Sequence, residues 1–227
     1  KITVVSLPKL IIEKEITLAE ENQNFLLLSS GANEDAVVAS GLARGPKEDA
    51  TYCFISIIDP VKFRLETTFS SLENCNVAQI VPYKSKFYLL NPASYQRLRT
   101  KANDVLVLQP SQPFTLTEQA LAIPSPLWGA IISDTLYTFH NPTWNSLNMD
   151  PTRTLARFDL RTGQTQSWPL PDKWDAESIA VINGQIILAN WWPNASQKDG
   201  LYLFDLSNGT LTQKVNIVGA EKILVAP

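Results

Sequence analysis

Histidine, cysteine and methionine are scarce in this chain, whose 227 residues include one histidine, two cysteines and one methionine. The lone histidine, His140, supports neither a metal cluster nor an obvious catalytic dyad. The two cysteines, Cys53 and Cys75, cannot build a disulfide framework. We expect them to be free buried thiols. The alternative is a single bridge, which requires their Cα atoms to lie within about 7 Å.

The chain also lacks a basic surplus and a long apolar run. Lysine and arginine number 19 against 22 aspartates and glutamates, which gives a net charge of −3. No excess of cations is available to neutralise a phosphate backbone, so we predict no nucleic-acid partner. No apolar run approaches the length of a membrane span, so we predict that the chain does not cross a membrane. Because it starts at Lys1 without a signal peptide, we expect a mature or excised form.

A repeated hairpin sequence is the clearest positive signal. The pattern F-D-L-x-[TN]-G occurs at 158–163 and again at 204–209, each time between two alternating strand-like segments. The aspartate carboxylate can accept hydrogen bonds from backbone N–H groups two or three residues on. Gly163 and Gly209 can supply the positive φ that closes such a turn. We therefore predict the same tight turn at both places.

Weaker copies of this layout extend along the chain. Turn anchors at positions 7, 59, 109, 159 and 205 are spaced by 52, 50, 50 and 46 residues. Apolar strand pairs precede the later anchors at 24–41, 79–92, 129–142 and 177–190, and Asn183-Gly184 is a tight-hairpin signal in the last of them. Four short strands in each repeat of about 40–50 residues predict an all-β fold, a β-propeller or propeller segment of four-stranded blades with about five repeats.

The phase of the repeats suggests how one propeller domain, 1–227, is divided. With strands labelled a to d outward from the axis, we expect full blades at roughly 22–72, 74–122, 126–171 and 174–218. Residues 1–19 would be strands c and d, and 221–227 strand a, of a split blade that lacks strand b. Either the ring has five blades, one of them incomplete, or the chain is a segment of a larger ring, which the missing strand favours.

The F-D-L-x-[TN]-G hairpins resemble those of the bacterial propeller superfamily that includes YVTN-type surface-layer and quinoprotein-like propellers. The stretch 156–168 also approaches the tryptophan-docking motif of quinoproteins, but Trp168 follows Gly163 one residue too late and no other blade repeats it. That departure argues against a quinone, and we predict no cofactor. The resemblance implies a rigid, ring-shaped platform and does not by itself imply an activity.

Long connections between strands b and c are the predicted functional face. They span 41–50, 91–104, 141–153 and 190–200, and three of them begin with an asparagine. Function commonly resides on long loops that a rigid scaffold holds, and flat aromatic rings can stack on sugars or other rings. The predicted ligand contacts are Asn91, Tyr95, Arg97, Asn141, Trp144, Asn190, Trp191 and Trp192.

Structural alternatives exist for these residues. Consecutive residues of an extended chain point in opposite directions, so one indole of Trp191–Trp192 would pack inward while the other stays free. The asparagines can instead form turns that stabilise the strand exits through bonds to the backbone.

The predicted function is non-catalytic recognition of a glycan or a protein segment by a secreted, periplasmic or surface-attached platform. The alternative is an enzyme similar to metal-dependent lactonase or lyase propellers, in which acids at the channel mouth bind calcium. Its candidate ligands are Asp150, Asp175, Glu177, Asn141 and Asn190, but their spacing matches no known motif. We therefore predict no metal site and lean against catalysis.

Overall fold

The computed structural model describes residues 2–6, 11–16, 25–44, 51–72, 76–93, 101–141, 153–171, 176–190 and 199–216. Within these ranges the chain forms eighteen β-strands joined by turns. None of the described residues belongs to a helix long and apolar enough to cross a membrane.

The strands form one two-stranded sheet and four antiparallel sheets of four strands each. The two-stranded sheet consists of β1 (Ile2–Ser6) and β2 (Ile11–Ile16). We call the four-stranded sheets blades 1 to 4. Blade 1 consists of β3 (Phe25–Ala32), β4 (Val37–Arg44), β5 (Thr51–Asp59) and β6 (Arg64–Leu72). Blade 2 consists of β7 (Gln79–Tyr83), β8 (Lys86–Ala93), β9 (Lys101–Gln109) and β10 (Thr115–Ala120).

Blade 3 consists of β11 (Pro126–Ile132), β12 (Thr135–His140), β13 (Thr154–Asp159) and β14 (Thr165–Pro169). Blade 4 consists of β15 (Ala176–Ile182), β16 (Gln185–Asn190), β17 (Gly200–Asp205) and β18 (Thr210–Val215). In every blade the strands pair in sequence order, so each is an antiparallel meander. The prediction of an all-β propeller fold with four-stranded blades is confirmed. The proposed inner strand at 221–227 lies outside the described residues.

The turns between strands c and d follow the predicted chemistry. Asp159 Oδ1 accepts hydrogen bonds from the N–H groups of Arg161 and Thr162, at 2.8 and 2.9 Å. Asp59 Oδ1 accepts the equivalent pair from Val61 and Lys62, both at 2.8 Å. In blade 4, Asp205 Oδ1 accepts a hydrogen bond of 2.8 Å from the N–H of Ser207, two residues later. These bonds hold the chain in the turn that reverses its direction at the outer edge of the blade.

Two glycines close these turns with left-handed backbone. Gly163 has φ +74° and Gly209 has φ +70°, and each N–H donates to the carbonyl of the turn's aspartate, at 2.9 and 2.8 Å. The hairpin of blade 4 likewise has Asn183 at φ 51° and Gly184 at φ 75°, with Ile182 opposite Gln185. Both residues of that two-residue turn are left-handed, as a type I′ hairpin requires.

The chain divides into two compact units, one made of residues 1–100 and 106–118 and the other of 101–105 and 119–227. In the first unit, blades 1 and 2 bury a shared core. It contains Ile55 and Ile57 from blade 1 together with Phe87, Leu89 and Leu108 from blade 2, each at most 1% exposed. The inner strands β3 and β7 pack side by side there. Ile16 of the two-stranded sheet packs against Ala39 and Ile58 of blade 1.

In the second unit, blade 3 packs against blade 4. The inner strands β11 and β15 again lie side by side. The indole of Trp168, in the outer strand β14 of blade 3, stands edge-on to the ring of Phe204 in β17 of blade 4, with centroids 5.5 Å apart and planes at 70°. A Cβ on Gly209 would lie 2.8 Å from Trp168 Cδ1, so the glycine lets the turn approach the indole closely.

Candidate functional site

Most of the predicted ligand contacts lie outside the described residues. These are Tyr95, Arg97, Trp144, Trp191 and Trp192. The three asparagines are described, and all of them are buried, with Asn91 and Asn190 at 0% and Asn141 at 4% exposure. Asn190 is the last residue of β16, Asn141 directly follows β12, and Asn91 lies two residues before the end of β8. The structure therefore describes the base from which the connections depart.

Asn91 fastens the end of strand b to the start of the same blade. Its Oδ1 accepts a hydrogen bond of 2.8 Å from the N–H of Asn76, three residues before β7. Next to this contact, the Ala78 N–H donates to the Leu90 carbonyl at 2.9 Å. Both asparagines are buried, so water does not compete for the bond. This contact agrees with the turn-forming interpretation of Asn91.

In blade 3 the equivalent position belongs to His140 rather than to Asn141. The pairing shows this, because Pro126 lies opposite His140 and Trp128 opposite Phe139, whereas in blade 4 Ala176 lies opposite Asn190 and Ser178 opposite Ala189. The same irregularity in register therefore aligns His140 with Asn190. Asn141 comes one residue later, and its own N–H donates to the Ser125 carbonyl at 3.2 Å. The similar spacing of the three asparagines in sequence, 50 and 49 residues, thus hides a shift of one residue in blade 3.

His140 makes a contact with the same layout as that of Asn91. Its Nδ1 lies 2.9 Å from the carbonyl oxygen of Pro124, two residues before its strand partner Pro126. Its Nε2 lies 2.7 Å from Thr138 Oγ1. Because the Pro124 carbonyl can only accept, Nδ1 carries the proton and the Thr138 hydroxyl donates to Nε2. The imidazole thus replaces the asparagine amide as a bridge between strand b and the entry to strand a.

Burial keeps this imidazole neutral. His140 is 1% exposed, and desolvation lowers its pKa from 6.5 to about 4, partly opposed by the bond to the Pro124 carbonyl. Neither ring nitrogen is available to a substrate, since both are engaged and the ring is enclosed. The one histidine of the chain therefore has a structural role.

The prediction of free thiols is wrong for Cys53. It lies in β5, is 1% exposed, and is disulfide-bonded, and Cys75 is the one other cysteine in the chain. The sequence offered no basis for preferring the bridge, because the separation of the two Cα atoms depends on how blades 1 and 2 pack. Cys75 itself lies outside the described residues.

Blade 3 contains a polar cavity that the sequence did not predict. It has a volume of about 300 Å³ and is lined by Thr135, Arg157, Asp159, Gln164, Thr165 and Gln166. These residues lie at the end of the blade where β12 begins and β13 ends, opposite the exit at Asn141. The pairing of Arg157 with Gln166 and of Thr135 with Asp159 brings them together. Only the alternation of strand residues hinted that Arg157 and Asp159 share a face.

The acids considered for a metal site are not assembled by the described part of the chain. No group of three or more histidine, cysteine, aspartate or glutamate residues there could hold a metal ion. Asp150 and Asp175 lie outside the described residues, and of Glu177 only the backbone, in β15, is described. Asn141 and Asn190, the remaining candidates, are buried at the strand ends.

Comparisons with known proteins support the fold. No protein-family model matches the sequence. No curated protein matches it either. The structure is similar to a solved chain titled Kuenenia stuttgartiensis hydrazine synthase, with a TM-score of 0.63, 10% identity, and coverage of 93% of this chain and 58% of that chain. The present chain thus spans somewhat more than half of that chain's length, and the likeness concerns the fold alone.

Proposed function

We propose that this protein is a non-catalytic recognition platform that binds a glycan or a protein segment through the connections between strands b and c. The observation that carries the proposal is the pair of buried bridges, Asn91 to Asn76 and His140 to Pro124. They hold the strand ends from which two of the connections depart. A loop with fixed ends loses less conformational freedom on binding, which favours affinity.

The connections carry residue types suited to such binding. Trp144, Trp191 and Trp192 provide flat rings that can stack on a sugar ring or on an aromatic side chain. Tyr95 and Arg97, in the connection of blade 2, add a phenol and a guanidinium that can donate hydrogen bonds to hydroxyls or carboxylates. We propose these five side chains as the principal contacts.

The disulfide supports the proposed location. Disulfides persist in oxidising compartments and are rare in the cytosol of most organisms. Cys53 is disulfide-bonded within a buried core. We propose that the protein works outside the cytosol, as a secreted, periplasmic or surface-attached platform.

A closer kinship is also proposed, with YVTN-type and quinoprotein-like propellers. Its support is the turn formed by F-D-L-x-[TN]-G, in which Asp159 and Asp205 accept backbone N–H bonds and Gly163 and Gly209 have positive φ. The kinship carries no activity with it.

The test is a glycan and peptide array probed with three proteins: the unaltered chain, Trp192→Ala and Trp168→Ala. Trp168 is the matched control, because it is an indole already packed against Phe204 within the fold. We expect Trp192→Ala to lose binding with little change in melting temperature. We expect Trp168→Ala to lower the melting temperature and to bind normally at a temperature where it is folded.

Two results would contradict the proposal. One is an unchanged array signal for Trp192→Ala, which would remove that indole from the contacts. The other is a fall in melting temperature on adding a chelator, together with the loss of a lactonase or lyase activity, which would favour the metal-dependent enzyme. Thermal unfolding in the presence and absence of a chelator therefore belongs in the same experiment.

A further inference from the structure

Blade 4 contains two Asn-Gly pairs in exposed turns, and the two pairs differ in their hydrogen bonds. Asn183-Gly184 joins β15 to β16, and Asn208-Gly209 joins β17 to β18. Both asparagines are exposed, and both glycines have positive φ, +75° and +70°. The two pairs can therefore be compared with each other within one sheet.

Asn-Gly pairs are open to a specific intramolecular reaction. The backbone nitrogen of the glycine attacks Cγ of the asparagine side chain, a new N–C bond forms, and the amide nitrogen leaves as ammonia. Water then opens the resulting succinimide, at one carbonyl to give aspartate or at the other to give isoaspartate. Glycine favours the attack because it has no Cβ to hinder the approach. The reaction requires a mobile side-chain amide and an unengaged backbone N–H.

Both groups are held at Asn208-Gly209. Asn208 Oδ1 accepts hydrogen bonds from the N–H and the hydroxyl of Thr210, at 2.9 and 2.6 Å, and Asn208 Nδ2 donates to Asp205 Oδ2 at 2.9 Å. The attacking nitrogen is held as well, because the Gly209 N–H donates to the Asp205 carbonyl at 2.8 Å. Three of the four bonds fix the amide and the fourth fixes the nucleophile. All must break or bend before the ring can close.

Neither group is held at Asn183-Gly184. Among the residues that the structure describes, no hydrogen bond involves the Asn183 side chain or the Gly184 N–H. Both residues are exposed, and no atom lies within 4 Å of the position that a Cβ on Gly184 would occupy. At this pair, therefore, no hydrogen bond of the side-chain amide or of the attacking N–H within the described part of the chain has to break before the ring closes.

We propose that Asn183 is a site of spontaneous deamidation in the folded protein and that the hydrogen bonds of the neighbouring turn protect Asn208. The product at Asn183 carries one additional negative charge. In the isoaspartate form the backbone also gains a methylene, so the two-residue turn no longer fits between Ile182 and Gln185. Since β16 runs from Gln185 to Asn190, the hairpin that precedes Trp191 would be loosened.

Mass spectrometry of aged protein tests the proposal directly. Trypsin cuts after Lys173, Lys198 and Lys214, so the two asparagines fall in different peptides, 174–198 and 199–214. The folded protein is incubated at mildly alkaline pH, digested under mildly acidic conditions, and the converted residue is located by fragmentation. We expect conversion at Asn183 to exceed that at Asn208 by about tenfold or more, given the number of hydrogen bonds that Asn208 must break.

Three controls keep the result specific. In concentrated urea the two asparagines should convert at similar rates, since both precede glycine. Asn183→Gln should abolish conversion in peptide 174–198 at that position. Thr210→Val removes the hydroxyl that donates to Asn208 and should raise conversion there. Equal conversion of the two asparagines in folded protein, or faster conversion at Asn208, would overturn the proposal.

Discussion

The two ends of the blades use polar side chains in opposite ways. At the turns between strands c and d, Asp59, Asp159 and Asp205 receive hydrogen bonds from the following residues. At the far end of strand b, Asn91 and His140 are enclosed and bridge to the start of strand a. Both arrangements recur along the chain, and both consist of hydrogen bonds between a side chain and the backbone.

The electrostatic consequences at the two ends also differ in cause. Backbone N–H bonds lower the pKa of Asp59 and Asp159, and bonds from Ser207 lower that of Asp205, because all of them favour the charged carboxylate. Desolvation lowers the pKa of His140, because burial disfavours the charged imidazolium. The turns thus stabilise charged carboxylates in contact with water, whereas the end of strand b in blade 3 disfavours a charged imidazolium. This contrast predicts how stability should respond to pH and to substitution.

The largest effect is expected from protonation of His140. Its pKa is 6.5 when solvated and about 4 in the folded protein, so the fold favours the neutral ring. That contribution is complete above pH 6.5 and is lost as the pH falls from 6.5 towards 4. The shift corresponds to about 3 kcal/mol of unfolding free energy. Urea unfolding at several pH values between 6.5 and 4 measures how steeply the free energy of unfolding falls with pH.

The matched variant for this experiment is His140→Gln, which introduces a side-chain amide that does not titrate, at the position that asparagine occupies in blade 4. It should unfold with little pH dependence between 6.5 and 4, the window set by the shift of His140. A slope that persists in this variant would assign the pH dependence to another group.

The second effect compares two asparagines whose Oδ1 atoms accept backbone N–H bonds at different burial. Asn91→Ala leaves the buried N–H of Asn76 without its acceptor, at an expected cost of about 1–3 kcal/mol. Asn33 Oδ1 accepts from the N–H groups of Asp35 and Ala36, both at 3.0 Å, in a turn that water reaches. Asn33→Ala should therefore cost less than about 1 kcal/mol. Chemical denaturation of both variants measures the loss in unfolding free energy. Equal losses would show that burial does not determine the cost of removing these asparagines.

The third effect separates backbone strain from crowding at the two glycines of the repeat. Gly163→Ala introduces a Cβ with no atom within 4 Å, so its cost of about 1 kcal/mol is that of a left-handed alanine. Gly209→Ala has the same strain and also meets Trp168 Cδ1 at 2.8 Å. We expect it to cost about 1 kcal/mol more.

A double variant, Gly209→Ala with Trp168→Ala, tests the origin of that difference. Thermal unfolding should show the excess cost of the alanine disappearing once the indole is absent. If the excess persists, the difference between the two glycines has another source.

The smallest effect is expected from the exposed aspartates. Their pKa values in the folded protein are lower than 3.8, so their contribution is present above pH 3.8 and is lost as the pH falls below it. Asp159→Asn should reduce the acid sensitivity in that range by only a small amount, since solvent screens the group. Acid titration of Asp59→Asn and Asp159→Asn should give similar results because both carboxylates accept the same pair of backbone N–H bonds.

The outer turns were predictable from the sequence because their interacting groups all lie within the repeated segment. The aspartate that accepts N–H bonds and the glycine with positive φ interact within six residues, so F-D-L-x-[TN]-G contains the whole turn. The alternation of apolar residues likewise predicted the four-stranded sheets. The role of His140 was not predictable in this way, because its partner Pro124 lies sixteen residues earlier in the chain.

The nearly equal spacing of Asn91, Asn141 and Asn190, 50 and 49 residues, shows why the site was harder to predict than the fold. Spacing in sequence assumes equal strand lengths, and blade 3 places Asn141 one residue beyond the position of Asn190. The disulfide at Cys53 was missed for a related reason, since it depends on the packing of two blades rather than on either segment alone.

The sequence by itself therefore determined the strands, the outer turns and the four-stranded repeat, because each depends on side chains and backbone groups a few residues apart. Only the tertiary structure decided that His140 replaces asparagine and that Cys53 is oxidised. Those outcomes depend on burial, on register and on distances across strands and blades. Such quantities arise only when side chains pack together and water is excluded.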